Sequence, residues 1–588
     1  MRTFLLTFLG GLAALLVFFV LLPLVLILSF MPSGEPAPVR NAVLELDLRN
    51  GYPDQPASDS VSALFSQLSF VEVLLRLNAA ADDPNIKGVF VRASEMDLGS
   101  SRAEELREAF LRLKAKDKFI IAHSQGFLAS GPSSYRAVST ADEIWMQPGT
   151  SFETPGITFE TLFLGRAMNL VHVTPEIEQF YEFKNAADVY KRQSYSPAHA
   201  EAMTALAESV WSHSIADIAA DRKVDPAAMR TLLEASPYQS EKAQELKLVD
   251  KLGWPEEAAD AAKQRASGGE LLSIADYTPR RQRGQAVIAV VGGEGDIVTG
   301  GGENSDILSI GSPVFASDRV AAELLDLVDD ETVNAVVFRI DSGGGSATAS
   351  DQIWRAVKRL QESGKKVVVS MGSVAASGGY YVAAGADAIV ATRSTITGSI
   401  GVFGGKFAIA DGLRQIGIDP DEVRVGGEFA SAYSTEKLTN GQRVKMVEGL
   451  EAVYTRFTGL VSDGRKLPIE RVREIAKGRV WSGEEAQKLG LVDQTGDLID
   501  AIDKAKVLAG FKPEDRATIR LKLHEASPLD LLRQAMVTAK ASSSGELQVA
   551  RALAPLVGED RAAALAAQLR QVTRDPGANV WSPPIIER

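Results

Sequence analysis

Ser377 is the side chain whose surroundings best fit covalent chemistry. It stands in AASGGYY, Ala375 to Tyr381, directly after the apolar run KKVVVSMGS and directly before the helical pattern YYVAAGA. A serine at a strand–turn–helix junction is exposed and can point into a cleft. The N–H groups of Gly378 and Gly379 follow it near a helix N-terminus, where donors lack helical partners and the dipole favours negative charge. Those are the needs of an oxyanion in acyl transfer. A second glycine run, Gly343-Gly344-Gly345, follows Ser342 at the end of the strand pattern VNAVVFRID, and its N–H groups can approach without side-chain hindrance. Either glycine turn alone is ordinary, and Ser342 could simply cap a helix. Neither run has the spacing G-x-x-x-x-G-K-[ST] or G-x-G-x-x-G of a phosphate-binding loop.

The base for Ser377 comes from an internal repeat. LLRLNAAADDPNIKGVFVRASEMD, from Leu74, answers ELLDLVDDETVNAVVFRIDSGGG, from Glu323, and EKAQELKLVD, from Glu241, answers EEAQKLGLVD, from Glu484. The separations are all about 245 residues, as between Arg92 and Arg339 or Asp250 and Asp493. At the Ser377 position the first copy reads LASGPSSYRA and lacks the double glycine. It offers a lysine instead: Glu182-Phe183-Lys184 aligns with Glu428-Phe429-Ala430. One copy holds the serine and the other the lysine, a division of labour that puts the site at the junction of the two. Lys184 can serve as base only if burial lowers its pKa well below the usual value of about 10.4. Lys191, seven residues on, has no assigned role and is expected to be idle.

Short apolar runs alternating with helical stretches in both copies predict an α/β fold. Residues 1–31 read as an anchor, 42–265 as a first unit carrying the lysine, 285–510 as a second unit carrying the serine, and 511–588 as a tail. The tail has helical patterns near 528–541 and 545–572, suited to packing or subunit contact. From Phe4 to Met31 no side chain is charged, longer than the roughly 20 residues a membrane span needs. Arg2 before it puts the N-terminus in the cytoplasm and the body outside. A cleaved signal peptide, the rival reading, has a shorter apolar core of about 7–15 residues and a small-x-small site, and neither is found here.

The 588 residues carry a net charge of −13, a poor match to nucleic acid, and five histidines without clustered ligand spacing, which argues against a zinc site. Having no cysteine, the chain has no thiol nucleophile and no disulfide.

RIDSGGGSATAS (Arg339 to Ser350), MGSVAASGGYYVAAGAD (Met371 to Asp387) and TITGSIGVFGG (Thr395 to Gly405) resemble the second half of the long type of the signal peptide peptidase A, or protease IV, family of S49-type serine peptidases. The apolar N-terminus, the tandem organisation and YEFKNAADVYKRQSYSP (Tyr181 to Pro197) resemble the same long type. The resemblance covers residues 1–510 and, more weakly, the tail. The family pattern S-P-G-G is here Ser342-Gly343-Gly344-Gly345, which leaves one more N–H available.

The resemblance implies a crotonase-like fold in both units, related to Clp-type proteases. It implies Ser377 as nucleophile, Lys184 as general base, and Gly378 and Gly344 as oxyanion donors, with no cofactor or metal. It further implies a single-pass protein of the bacterial cytoplasmic membrane. The body would face the periplasm, assemble as a homotetramer with a hydrophobic bowl-shaped interior, and degrade remnant signal peptides. Other apolar peptides are expected as substrates. Two further readings are an acyl-CoA enzyme on the same fold and a non-catalytic membrane-tethered scaffold.

Overall fold

The computed structural model describes residues 41–56, 67–128, 131–279, 284–301, 313–522, 579–581 and 586–587. The expected anchor and the two tail helix patterns lie outside these residues. Among the described residues no helix is long and apolar enough to cross a membrane.

The apolar runs of the first unit form a six-stranded parallel sheet in the order Leu271–Ser273, Ala42–Asp47, Ile86–Arg92, Phe119–Ser124, Glu143–Met146 and Lys251–Leu252. The runs of the second unit form a parallel series in the corresponding order: Ala517–Leu521, Ala286–Glu294, Ala335–Ser342, Lys366–Ala376, Ala388–Ala391 and Gln494–Thr495. The edge strands Leu271–Ser273 and Ala517–Leu521 come from residues beyond 265 and 510. Ile396–Gly398 joins the far end of Lys366–Ala376 in parallel, and Val480–Ser482 pairs antiparallel beyond it.

Helices cover the sheets because their apolar positions recur on one face and their starts are capped. Phe70–Ala81 opens on a capping box in which Ser69 Oγ accepts from Glu72 N–H and the Glu72 carboxylate accepts from Ser69 N–H. Its Phe70, Val73, Leu74 and Leu77 are buried. One hydrophobic core continues from Leu44, Val89 and Ile120 of the first sheet to Ile288, Val337 and Val368 of the second, with Leu498 and Ile502 of the helix Leu498–Leu508 between them. The two units are therefore fused by packing as well as by sequence.

Charges are also buried across that junction. Arg339, without exposed surface, donates to Asp54 at 2.8 Å and to Glu105 at 2.7 Å. Arg136 reaches Glu104 at 2.9 Å and Asp217 at 2.5 Å, while Arg393 of the second unit reaches the same two carboxylates at 2.8 and 2.7 Å. Arg92, the repeat counterpart of Arg339, is only half-buried and donates to Gln125.

A third sheet positions the site. Its order is Val314–Ala316, Asp296–Val298, Gly344–Ser346, Asn579–Trp581, Val402–Ala408 and Thr174–Phe180. The last strand comes from the first unit and lies antiparallel to Val402–Ala408 in an unbroken register from Phe180 opposite Val402 to Thr174 opposite Ala408.

Candidate active site

Ser377 ends the strand Lys366–Ala376 and caps the six-residue helix Gly378–Ala383. Its backbone has φ +54° and ψ −113°, a region non-glycine residues rarely adopt and one that costs on the order of 1–3 kcal/mol. Ser377 N–H donates to Gly398 O at 2.8 Å, and Ser377 O accepts from Tyr381 N–H at 2.8 Å. The turn is thus held from both sides.

The strand leading to it is bulged. Met371 lies opposite Ile340 but Ala375 lies opposite Ser342, so Gly372-Ser373-Val374 face Asp341 alone. The Asp341 carboxylate fills the break by accepting Val374 N–H at 2.9 Å. Gly372 allows this approach, because a Cβ there would stand 2.9 Å from that of Asp341. Arg102 of the first unit lies 3.6 Å from the same carboxylate, and Ser101 and Thr395 hydroxyls donate to Gly372 O. Burial and the nearby carboxylates of Asp54 and Glu294 push Asp341 up to about 7, against the pull of Arg102 and Arg339.

Lys184 arrives at the end of the Thr174–Phe180 strand. Phe183 N–H donates to Lys477 O at 3.1 Å, and Lys184 N–H donates to Tyr181 O at 3.1 Å. Gly478, at φ +86°, makes room: a Cβ there would stand 2.5 Å from Lys184 N and 2.6 Å from its Cα. Lys184 Nζ donates to Ser377 Oγ at 2.6 Å, to Ser399 O at 2.9 Å and to Ser399 Oγ at 3.1 Å. Lys184 and Ser377 have no exposed surface and Ser399 almost none. Burial holds the Lys184 ammonium well below the usual lysine range. Ala430, aligned with Lys184 in the repeat, sits exposed in a short turn.

Gly378 begins its helix, so its N–H has no intrahelical acceptor. Gly344 N–H meets Ser342 Oγ at 3.1 Å, and that hydroxyl donates to Gly295 O at 2.6 Å. Gly344 and Gly345 have φ +112° and +155°. The glycine strand and the serine turn touch, since a Cβ on Gly379 would stand 2.6 Å from Ser342 O.

Three residues differ from expectation, the first being Ser377, which was expected to be exposed and is fully buried. Ser399, at φ +50°, makes two of the contacts of Lys184 Nζ and was not singled out from sequence. Its signal was present in TITGSIGVFGG, where it stands between Gly398 and Gly401 with only Ile400 intervening. Lys191 is exposed but not idle: it donates to Ile177 O at 3.1 Å and Gln179 Oε1 at 3.0 Å, tying the strand that leads to Lys184 to the helix Asp188–Lys191.

A strained serine beside a desolvated amine, with helix-start and glycine N–H groups nearby, is equipped for acyl transfer. Known proteins point the same way. The family model for peptidase family S49 matches residues 112–268 and 359–512. "Protease 4" of Salmonella typhi is 30% identical over 535 residues, covering 84% of this chain and 83% of that protein. "Protease 4" of Haemophilus influenzae is 29% identical over 528 residues, 84% of each. "Serine protease SPPA, chloroplastic" of Arabidopsis thaliana is 28% identical over 492 residues, 82% of this chain and 71% of that one. Sequence, fold and relatives agree that this chain belongs to peptidase family S49 and is a serine protease.

Proposed function

We propose that the chain is an endopeptidase working through a Ser377/Lys184 dyad, and that it degrades cleaved signal peptides and other apolar peptides at a membrane. The observation that carries this reading is the 2.6 Å contact of Lys184 Nζ with Ser377 Oγ in a site without exposed surface. Neutral Lys184 takes the Ser377 proton as Oγ attacks the peptide carbonyl. Ser399 holds the amine toward Oγ through its carbonyl and hydroxyl. The tetrahedral oxyanion is received by Gly378 N–H and by Gly344 N–H, the latter turning from Ser342 Oγ. The protonated lysine then delivers its proton to the leaving amine, and the neutral amine activates water for deacylation.

Substrate binds extended, its main chain pairing with backbone beside the serine turn. The corresponding strand orders of the two parallel sheets support two crotonase/Clp-like units in tandem. The uncharged stretch Phe4–Met31 supports a single-pass anchor in a bacterial cytoplasmic membrane with the body on the periplasmic side. Exposed Leu170, Val171, Ile416 and Ile418 support assembly into a homotetramer. The two segments are neighbours, since Gly412 packs on Val171 O. The deciding experiment is hydrolysis of a signal peptide in detergent by the wild type, S377A and K184A. Both variants should lose turnover while remaining folded; activity retained in S377A excludes the mechanism.

A further inference from the structure

Arg479 stands where the lysine-bearing loop meets the Ser399 turn, and it touches both. Its guanidinium lies between two rings, with Cζ 5.2 Å from the centroid of Phe183 and 4.6 Å from that of Trp481. Phe183 directly precedes Lys184 and comes from the first unit, while Trp481 belongs to the second. The Arg479 carbonyl accepts Ser399 N–H at 2.8 Å. Trp481 lies opposite Thr397 where Val480–Ser482 pairs with Ile396–Gly398. Its indole packs on the turn, since a Cβ on Gly398 would stand 2.7 Å from Trp481 Cδ1. Gly398 O in turn accepts Ser377 N–H at 2.8 Å. A stack of ring, guanidinium and ring thus links the residue beside Lys184 to the turn that contacts both Lys184 and Ser377. The other side-chain contact is an ion pair with Glu201, whose side chain is 62% exposed, so it contributes little. Among the described residues Arg479 Nε makes no hydrogen bond. The rings therefore do most of the holding. The repeat gives an independent sign. Arg479 stands five residues before Glu484, and five before Glu241 the first copy has Ser236, with Tyr238 in the place of Trp481. The corresponding strand pair is kept there, with Tyr238 opposite Phe152 in Ser151–Phe152 and Tyr238–Gln239. That pair forms without the arginine, and the arginine occurs in the copy that carries the serine.

We infer that Arg479 is a positioning residue for the reaction: stacked between Phe183 and Trp481, its guanidinium holds the Lys184 loop of one unit against the Ser399 turn of the other. The inference rests on the Ser377/Lys184 reading above. Main-chain bonds bring the loop near, through Phe183 N–H to Lys477 O at 3.1 Å and Gly478 N–H to Ile400 O at 3.0 Å. A general base must also sit within about 2.6–3.2 Å of the group it deprotonates, so a small slip of the loop is costly. The stack resists that slip from the side-chain side. A planar, weakly hydrated guanidinium suits two ring faces at once, and a compact, strongly hydrated ammonium does not. Arg479 acts here by contact and not by its charge, because burial is what lowers Lys184.

The test uses the full chain in detergent and a quenched fluorescent apolar peptide, comparing the wild type with R479A, R479K, E201A, F183A, F183A/R479A and K184A. Rates are expressed per serine titrated by a fluorophosphonate, so that a smaller folded fraction is not read as a slower enzyme. R479A should lower kcat at least about tenfold while KM stays within about twofold. Its rise of kcat/KM with pH should move to higher pH, because a loosened loop rehydrates the Lys184 amine and lifts its depressed pKa. A merely destabilising change would leave that midpoint in place. R479K should keep at least a fivefold defect, and E201A should stay within about twofold of the wild type. F183A should show the same shift in pH, and R479A should cost less than about twofold more once Phe183 is gone, since the two act through one stack. Unchanged kcat and midpoint in R479A overturn the inference. So does R479K at the wild-type rate, E201A as slow as R479A, or an equal cost of R479A with and without Phe183. Where R479A yields too little folded protein, R479K and F183A carry the same comparison. K184A as active as the wild type would sink the dyad reading itself; K184A inactive beside a normal R479A would sink this inference alone.

Discussion

At the scale of single residues, the proposed chemistry turns on the charge of Lys184. Its folded pKa is depressed by burial, so the amine is neutral above that depressed value and protonated below it. kcat/KM should rise with pH through a group titrating below the ordinary lysine range and then level off. K184A should lose roughly 10²–10⁴-fold in turnover, the usual worth of a general base, and K184R should fail too because arginine stays protonated. Lys191 is a poor control because it anchors the lysine-bearing strand. Lys477 serves better: its exposed ion pair with Glu182 at 3.1 Å contributes little, so K477A should retain near-normal rates. Equal rates for K184A and K477A would remove Lys184 from the mechanism. The depressed pKa also has a stability sign. Between the ordinary lysine pKa and the folded value, the unfolded chain binds a proton that the folded chain does not, so stability falls as pH drops through that window. In K184M that loss should disappear, seen as a flatter plot of melting temperature against pH.

At the scale of elements, the site depends on loops brought close by missing side chains. Gly478 presses on the backbone of Lys184, so G478A should push the amine away from Ser377. We expect at least a tenfold fall in kcat with little change in KM; unchanged kcat would show that the lysine loop does not need this contact. The bulge before Ser377 gives a second case. Asp341 titrates near 7 when folded, above its ordinary value, so its contribution to stability is complete below about pH 4 and is lost as pH rises through about 7. D341N keeps an acceptor for Val374 N–H and removes the charge, so its melting temperature should decline less than the wild type's between pH 5 and 8. An identical decline would place the sensitivity elsewhere. These examples show what the sequence made legible. Ser377 and Lys184 could be read because each is present in one repeat copy and missing from the other. Ser399 could not, because its role comes from a positive φ and a carbonyl, and neither is encoded by residue type. The edge strands Leu271–Ser273 and Ala517–Leu521 escaped because three to five half-exposed residues give no apolar run. The Arg339 pairings escaped because their partners are 234 and 285 residues away and charged side chains usually face water.

At the scale of the whole molecule, the two units share one hydrophobic core and buried charge pairs. R339A leaves Asp54 and Glu105 buried without a counter-charge, and should cost about 3–5 kcal/mol in a urea melt monitored by tryptophan fluorescence. A loss below about 1 kcal/mol would mean that the carboxylates protonate or rehydrate instead. Assembly is tested separately by light scattering in mild detergent, where four 63.0 kDa chains per particle are expected and a single chain would refute the tetramer. The same Arg339 pairs set a timetable for synthesis. Glu105 must wait 234 residues, and Asp54 285, before their arginine exists. At about 5–20 residues per second the Glu105 interval is roughly 10–50 s. Throughout it the two carboxylates lack the arginine that neutralises them in the folded chain. The half of the molecule made first thereby completes its charge pairing only once the second half has been made.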